Sequence, residues 1–281
     1  MHCASSFFSV APDRISARDE ARFFGLLKTA NNTFKRTESS RLAGIDSALV
    51  EMMSRHGSRI GTALDLGISS GVTTLELLDR LRTAGHDVQL TGTDRSVRAR
   101  LVTLPFGCRA LVEPNGHVLQ YEVLGQAVRP WERRLDRWTG MHIVRRLVEG
   151  RLREPAIAQA AAGQGTEVAL ISPRLRHADA FQWLEDDITQ RSPAMLGRFD
   201  LVRAANLLNL HYFEPDVLRR AIGNAIAYLS GPGAWFLVVR THGLADHQGT
   251  LFRMKENGAL TIMDRYGSGS EVEHIVLDMA G

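Results

Sequence analysis

Asp65, Gly67, Ser69, Ser70 and Gly71 fall within seven consecutive residues. The stretch Ala63-Leu64-Asp65-Leu66-Gly67-Ile68-Ser69-Ser70-Gly71-Val72 passes from a short apolar run into a segment whose Leu75, Leu78 and Leu81 share a helical face. It reads as strand, glycine turn and helix. Such a turn lets the chain bend sharply and lets a ligand lie against main-chain N–H groups. Asp94 ends a second such run and is followed by Arg95. A carboxylate at the carboxyl end of a parallel strand can accept hydrogen bonds from a pair of sugar hydroxyls. Asp186-Asp187-Ile188 sets two carboxylates, either of which can accept a hydrogen bond, beside an apolar side chain. Asn206, His211 and Tyr212 follow a further apolar run. Of these, His211 and Tyr212 are the candidates to face an acceptor or move a proton.

Other chemistries find less material. Two glycines four apart do not make the G-x-G-x-x-G dinucleotide fingerprint. Two cysteines, Cys3 and Cys108, make neither a disulfide framework nor a zinc site, and no metal is expected. The chain has 281 residues, is 44% hydrophobic and carries a net charge of +3. That is enough to bury one large core, or one core with an appended subdomain. No apolar run approaches the ~20 residues of a membrane-spanning helix, and residues 1–10 lack the basic start of a secretory signal. A cytoplasmic protein with no membrane partner is expected.

The elements that must position these residues follow from periodicity. Ser16-Ala17-Arg18-Asp19 is a helix-opening pattern, with Phe23, Phe24 and Leu27 behind it. Leu42, Ile45, Leu49 and Met52 form a second helical stripe, so residues 1–57 read as a helical cap. Strand 63–66, helix 72–84 and strand 87–94 make a βαβ unit with parallel strands. The rhythm then breaks. Residues 111–121 read as a hairpin about Asn115-Gly116, and 131–153 as helix anchored by Trp138, Ile143, Leu147 and Leu152. Residues 101–164 therefore read as an inserted β/α subdomain. Residues 95–153 hold 12 arginines against 5 acids. The sheet resumes at 167–171 or at 181–188, then at 199–206. A helix opened by Pro215 and a fully apolar strand at 234–239 follow, then strands at 251–255, 259–263 and 272–277. The expected fold is α/β: a Rossmann-like, doubly wound, mainly parallel seven-stranded sheet over 58–100 and 165–281, with the helical cap and the inserted subdomain.

Asp65 with Gly67 and Gly71, Asp94, Asp186-Asp187-Ile188, the run Phe199-Asp200-Leu201-Val202 with Asn206, and the turn Leu229-Ser230-Gly231-Pro232-Gly233 come in a fixed order. In that order they resemble the motifs of class I S-adenosylmethionine-dependent methyltransferases. The resemblance implies S-adenosyl-L-methionine as cofactor, held by Asp65, Gly67, Ile68, Ser69, Gly71, Asp94, Arg95, Asp187, Ile188 and Asn206. Within that superfamily, Asn32-Thr33-Phe34-Lys35-Arg36, the interruption after the second strand, and Phe199-Asp200, Asn206 and Tyr212-Phe213 resemble the chemotaxis receptor glutamate methyltransferases. Ala205 stands where those have arginine, two extra residues precede Tyr212, and residues 101–164 do not match their three-stranded subdomain. The implied enzyme transfers a methyl group to an oxygen or nitrogen. A small-molecule acceptor is favoured because cap and insertion could together roof a pocket. Two other readings stay open: a non-catalytic module binding S-adenosylmethionine or a nucleotide, and an RNA methyltransferase gripping its substrate through Arg133, Arg134, Arg145 and Arg146. A protein acceptor also remains possible on sequence grounds.

Overall fold

In the computed structural model, residues 3–35, 39–243 and 246–279 are described. They form two compact units, one of residues 39–95 with 175–281 and one of residues 1–38 with 96–174. The division differs from the one read from the sequence. The N-terminal residues belong with the insertion, and the helix at 43–55 belongs with the larger sheet.

The larger unit is built on a seven-stranded mixed sheet. Its strands are β1 (Thr62–Leu66), β2 (Gln89–Asp94), β3 (Phe181–Glu185), β4 (Leu201–Ala205), β5 (Trp235–His242), β6 (Asp246–Met254) and β7 (Leu260–Tyr266). The order across the sheet is β7-β6-β5-β4-β1-β2-β3. β1 to β5 run parallel to one another, while β6 and β7 add an antiparallel meander beside β5. The direction of winding reverses between β1 and β4, which makes a switch point at their carboxyl ends. The helices of this unit are α1 (Ala43–Arg55), α2 (Val72–Thr83), α3 (Pro215–Ala227) and α4 (Glu273–Met279). On one face Leu64, Val202, Phe236 and Phe252 pack with Leu218, Ile222 and Val276. On the other, Ala63, Leu90, Leu201 and Leu237 pack with Leu49, Met53, Leu77 and Leu78. Two covered faces explain why the central strands read as unbroken apolar runs.

Two expectations are corrected here. Residues 272–277 were expected as a strand, but Glu273–Met279 is helical. Val272, Ile275 and Val276 lie on one side at a helical spacing and are all buried. Of the two candidates for the third strand, Phe181–Glu185 joins the larger sheet beside β2. The other, Thr166–Ala169, pairs antiparallel with Arg98–Thr103 in the smaller unit.

The smaller unit holds a five-stranded antiparallel sheet. The expected hairpin is present, with Arg109–Val112 paired to Val118–Val123. One face is covered by Phe7, Phe23, Phe24 and Leu27 from the N-terminal helices. The helix Ala17–Phe24 starts with the expected capping box between Ser16 and Asp19. The other face is covered by Leu152 and Ala156 of the long helix Met141–Ala161. Of the four anchors expected there, only Leu152 is buried; Trp138, Ile143 and Leu147 are exposed.

Candidate functional site

The glycine loop leaves β1 after Leu66 and enters α2 at Val72. Gly67 and Gly71 have φ of 72° and 77°, the left-handed region. The main-chain N–H groups of Gly67 and Ile68 donate to the Thr93 carbonyl at 2.7 and 3.0 Å, and that of Gly71 to the Ile68 carbonyl at 2.7 Å. The Ser69 N–H donates to Asp94 Oδ2 at 2.7 Å. These N–H groups, expected to face a ligand, are instead directed at the end of β2 and at the loop itself. The glycines are needed for packing within the protein. A Cβ on Gly67 would come within 3.2 Å of the Leu207 methyl carbons, and one on Gly71 would collide with Leu175. Ile68 is buried, and its side chain presses on Gly92 from beneath the loop.

What the carboxyl edge of the sheet does present is a set of polar side-chain atoms. Asp94, at the end of β2, is oriented by the Ser69 N–H. Asp186 follows β3, its N–H donating to the Asp94 carbonyl at 3.1 Å. Its Oδ2 is buried and accepts no hydrogen bond. Burial pushes the Asp186 carboxyl above the ordinary carboxylate range, and the charge of Asp187 adds to this. Asp187 is already engaged. Its Oδ1 accepts from the Thr189 N–H and hydroxyl at 3.0 and 2.7 Å, and its Oδ2 pairs with Arg95 at 3.5 Å. Ile188 is buried in the cluster that includes Met195 and Leu208. Asn206 follows β4 with φ of 59°. Its Oδ1 accepts from the Thr241 N–H at 2.7 Å, while its Nδ2 is buried without a partner. Ser70 Oγ is likewise buried and unpartnered. From β3 to β4 is three strand spacings, about 14 Å.

Asp65 has another task. It is buried opposite Arg203, its register partner on β4. Arg203 Nε and Nη2 donate to the two Asp65 oxygens at 2.9 and 2.6 Å. Nη1 reaches both oxygens of Asp46 on α1 at 2.9 and 3.0 Å, and Nη2 also reaches the Thr73 carbonyl at 3.0 Å. Thr74 Oγ1 donates to Asp65 Oδ2 at 2.7 Å. Burial alone would lower the Arg203 guanidinium; the Asp46 and Asp65 charges outweigh it and hold it above its ordinary value. Arg203 thus ties the strand before the glycine loop to the first turn of the helix after it. Asp65 fixes the loop from inside, with both oxygens engaged away from any ligand. Neither Arg203 nor Asp46 was singled out from the sequence. The available signal was an arginine inside the apolar run Leu201-Val202-Arg203-Ala204, which requires a buried counter-charge.

His211 and Tyr212 are exposed on the loop after β4, their N–H groups donating to Asn209 Oδ1 at 3.0 and 3.1 Å. No described contact joins either ring to Asp94 or to the glycine loop. The same loop is tied at Leu210, whose N–H donates to Glu271 Oε1 at 3.3 Å. Glu271 also accepts from Arg240 at 2.6 Å. These two residues, with His242, Gln248, Ser268 and Ser270, line a polar cavity of about 220 Å³ beyond the end of β5. His242 was not anticipated from the sequence. Arg36, part of the resemblance to the chemotaxis enzymes, lies outside the described residues.

No protein-family model matches the chain, and no curated protein matches it. Among solved structures it is similar to the CMeT domain of the citrinin polyketide synthase, at 13% identity over 72% of this chain and 35% of that one, with a TM-score of 0.37. It is similar to the N-methyltransferase NodS from Bradyrhizobium japonicum in complex with S-adenosyl-L-homocysteine, at 16% identity over 76% of this chain and 68% of that one, TM-score 0.34. It is also similar to the sugar N-methyltransferase KedS8 from a Streptoalloteichus species, at 12% identity over 86% and 78%, TM-score 0.37. The chain spans about a third of the length of the first of these. None of the three is a chemotaxis-receptor methyltransferase, and that finer resemblance is carried no further. TM-scores this low leave the fold to stand on the sheet order itself.

Proposed function

We propose that the larger unit binds S-adenosylmethionine and that the chain transfers its methyl group to an oxygen or nitrogen of a small molecule. The observation that carries this reading is the set of polar atoms along the carboxyl edge of the sheet: Asp94 held in place by Ser69, with Asp186 Oδ2, Asn206 Nδ2 and Ser70 Oγ buried and unpartnered. Buried polar groups normally find partners, so unpartnered ones at a ligand-binding edge fit a ligand that supplies them. Asp94 would accept the sugar hydroxyls and Asp186 the exocyclic amine. Asn206 Nδ2 and Ser70 Oγ would donate to the amino-acid end. Asp186 takes the role first given to Asp187, because its acceptor is open. Bound S-adenosylmethionine supplies a methyl group on a sulfonium, already activated for transfer. The protein's share is positioning and exclusion of water. Arg203 serves this by holding the loop between β1 and α2.

The polar cavity beyond β5 is the proposed place for the acceptor. Its size suits a small molecule or one end of it, and its rim is tied to the loop carrying His211 and Tyr212. A carboxylate acceptor needs no base. A hydroxyl acceptor does; His211 and His242 are both exposed, and His242 is the one that lines the cavity. Calorimetry with S-adenosylmethionine, S-adenosylhomocysteine and ATP on wild type and Asp94→Ala tests the reading. Binding of the first two, absent for ATP and weakened by the substitution, supports it. Equal response to all three ligands, or indifference to Asp94→Ala, refutes it. The non-catalytic binding module is the second reading, favoured by the distance of His211 and Tyr212 from any described contact with the edge. Release of S-adenosylhomocysteine with any acceptor excludes it.

A further inference from the structure

Residues 135–147 of the smaller unit present a surface that methyl transfer does not explain. Trp138 is 89% exposed, Leu135 70%, Ile143 55% and Leu147 54%. Met141 and Val144 are exposed as well. The inward side of the helix Met141–Ala161 is taken by Arg145, Leu152 and Ala156. Ile143 and Leu147, four residues apart, lie on the opposite side. The turn before the helix is firmly held. Asp136 is buried and accepts from Arg129 at 2.9 Å, Arg145 at 3.1 Å and the Arg133 N–H at 2.8 Å. The apolar side chains are therefore displayed on an anchored segment.

The charge around them is mostly of one sign: Glu132, at the edge of the segment, is exposed but already paired with Arg145 at 3.2 Å and Arg137 at 3.9 Å. Asp136 and Arg145 are buried, so every exposed charged side chain in 133–147 is an arginine: Arg133, Arg134, Arg137 and Arg146. A second copy of this chain seated on the patch would set arginines against arginines. A nucleic acid would match the arginines but leave Ile143, Val144 and Leu147 facing phosphate and water. The same burial removes Arg145 from the basic grip suggested by the sequence. We propose that this surface docks onto an anionic phospholipid bilayer. Trp138, Leu135, Ile143 and Leu147 enter the interfacial layer, and the arginines lie at the headgroup phosphates. No helix among the described residues is long and apolar enough to cross a membrane, so the attachment is peripheral. Reading Trp138, Ile143 and Leu147 as core anchors is what hid this surface in the sequence.

Vesicle co-sedimentation of the full chain tests the proposal, with phosphatidylcholine vesicles and with phosphatidylcholine–phosphatidylglycerol vesicles. Wild type should partition onto the anionic vesicles at low salt and leave the neutral ones unbound. Arg134→Gln with Arg137→Gln should weaken partitioning about thirty-fold, at roughly five-fold per arginine. Trp138→Ser with Leu147→Ser should weaken it at least about ten-fold without changing the arginines. Both double variants alter exposed positions, and unchanged circular dichroism shows that they fold. Three results would each overturn the proposal: no wild-type binding to anionic vesicles, binding indifferent to the Trp138 and Leu147 changes, or concentration-dependent self-association abolished by those same changes.

Discussion

Replacing Arg203 with methionine removes the cation from a closed network while roughly keeping its volume. The wild-type side chain is fully buried and makes five hydrogen bonds, two to Asp65, two to Asp46 and one to the Thr73 carbonyl. After the change Asp65 keeps the Thr74 hydroxyl, but the described hydrogen bonds to the Asp46 carboxylate all disappear. Breaking a buried ion pair by removing one partner costs about 3–5 kcal/mol. Set against a typical stability of ~5–15 kcal/mol, the variant should lose about a fifth or more. Its loss should also depend on pH. Burial already pushes the Asp46 carboxyl up, with Arg203 opposing it; without Arg203 it rises further. A carboxyl whose folded pKa is raised contributes stability fully present below the unfolded value and lost as pH rises through the folded one. The deficit should therefore grow with pH above the ordinary carboxylate range, by up to about 1.4 kcal/mol per pH unit from Asp46. Urea unfolding of wild type and Arg203→Met at several pH values measures this. The triple variant Arg203→Met, Asp46→Leu, Asp65→Leu leaves no buried charge and should recover most of the loss. A deficit below about 1 kcal/mol, flat with pH, would mean that the three side chains do not form a dry, paired cluster.

Asp186→Asn should weaken S-adenosylhomocysteine binding about ten-fold in calorimetry, and Asp187→Asn by less than about two-fold, because only Asp186 has an open acceptor. Since an ionised carboxylate accepts more strongly than a neutral carboxyl, wild-type affinity should fall as pH drops through the raised Asp186 pKa, and Asp186→Asn should flatten that dependence. Gly71→Ala meets both a φ of 77° and Leu175, so it should cost about 1–3 kcal/mol in thermal unfolding. Leu175→Ala costs about 2–5 kcal/mol by itself because Leu175 is fully buried, so the steric part is read as the coupling between the two changes in a double-mutant cycle. With a hydroxyl acceptor, His242→Ala should slow turnover about 10²–10⁴-fold and His211→Ala far less; the reverse order would move the base to the loop after β4.

The central sheet was legible because its strands are buried on both faces and its turns carry glycine or proline. Residues 63–66, 72–84 and 87–94 were read to within two residues of Thr62–Leu66, Val72–Thr83 and Gln89–Asp94. The last helix was missed because Glu273–Met279 is short and its apolar residues suit either period. The unit boundaries were missed because the packing of Phe7 and Phe23 against Leu111 and Leu119 joins segments about a hundred residues apart. Nothing local in the sequence announces such a contact. At the site, the side chains named from the sequence have partners that the sequence does not show. A carboxylate's neighbours decide its role, and Asp65 is paired inward with Arg203 across two strands whose register periodicity does not reveal. Asp186 and Asp187 are told apart by Thr189 and Arg95, which engage Asp187 and leave Asp186 Oδ2 without a partner. Trp138, Ile143 and Leu147 have the composition of a core and the position of a surface.

A crystal structure of the chain with S-adenosylhomocysteine tests the central claim most directly. The ligand should lie along the carboxyl edge of the larger sheet, its ribose hydroxyls on Asp94, its amine on Asp186 and its amino-acid end near Asn206 and Ser70. A ligand bound elsewhere, or one that leaves Asp94 and Asp186 untouched, would contradict it.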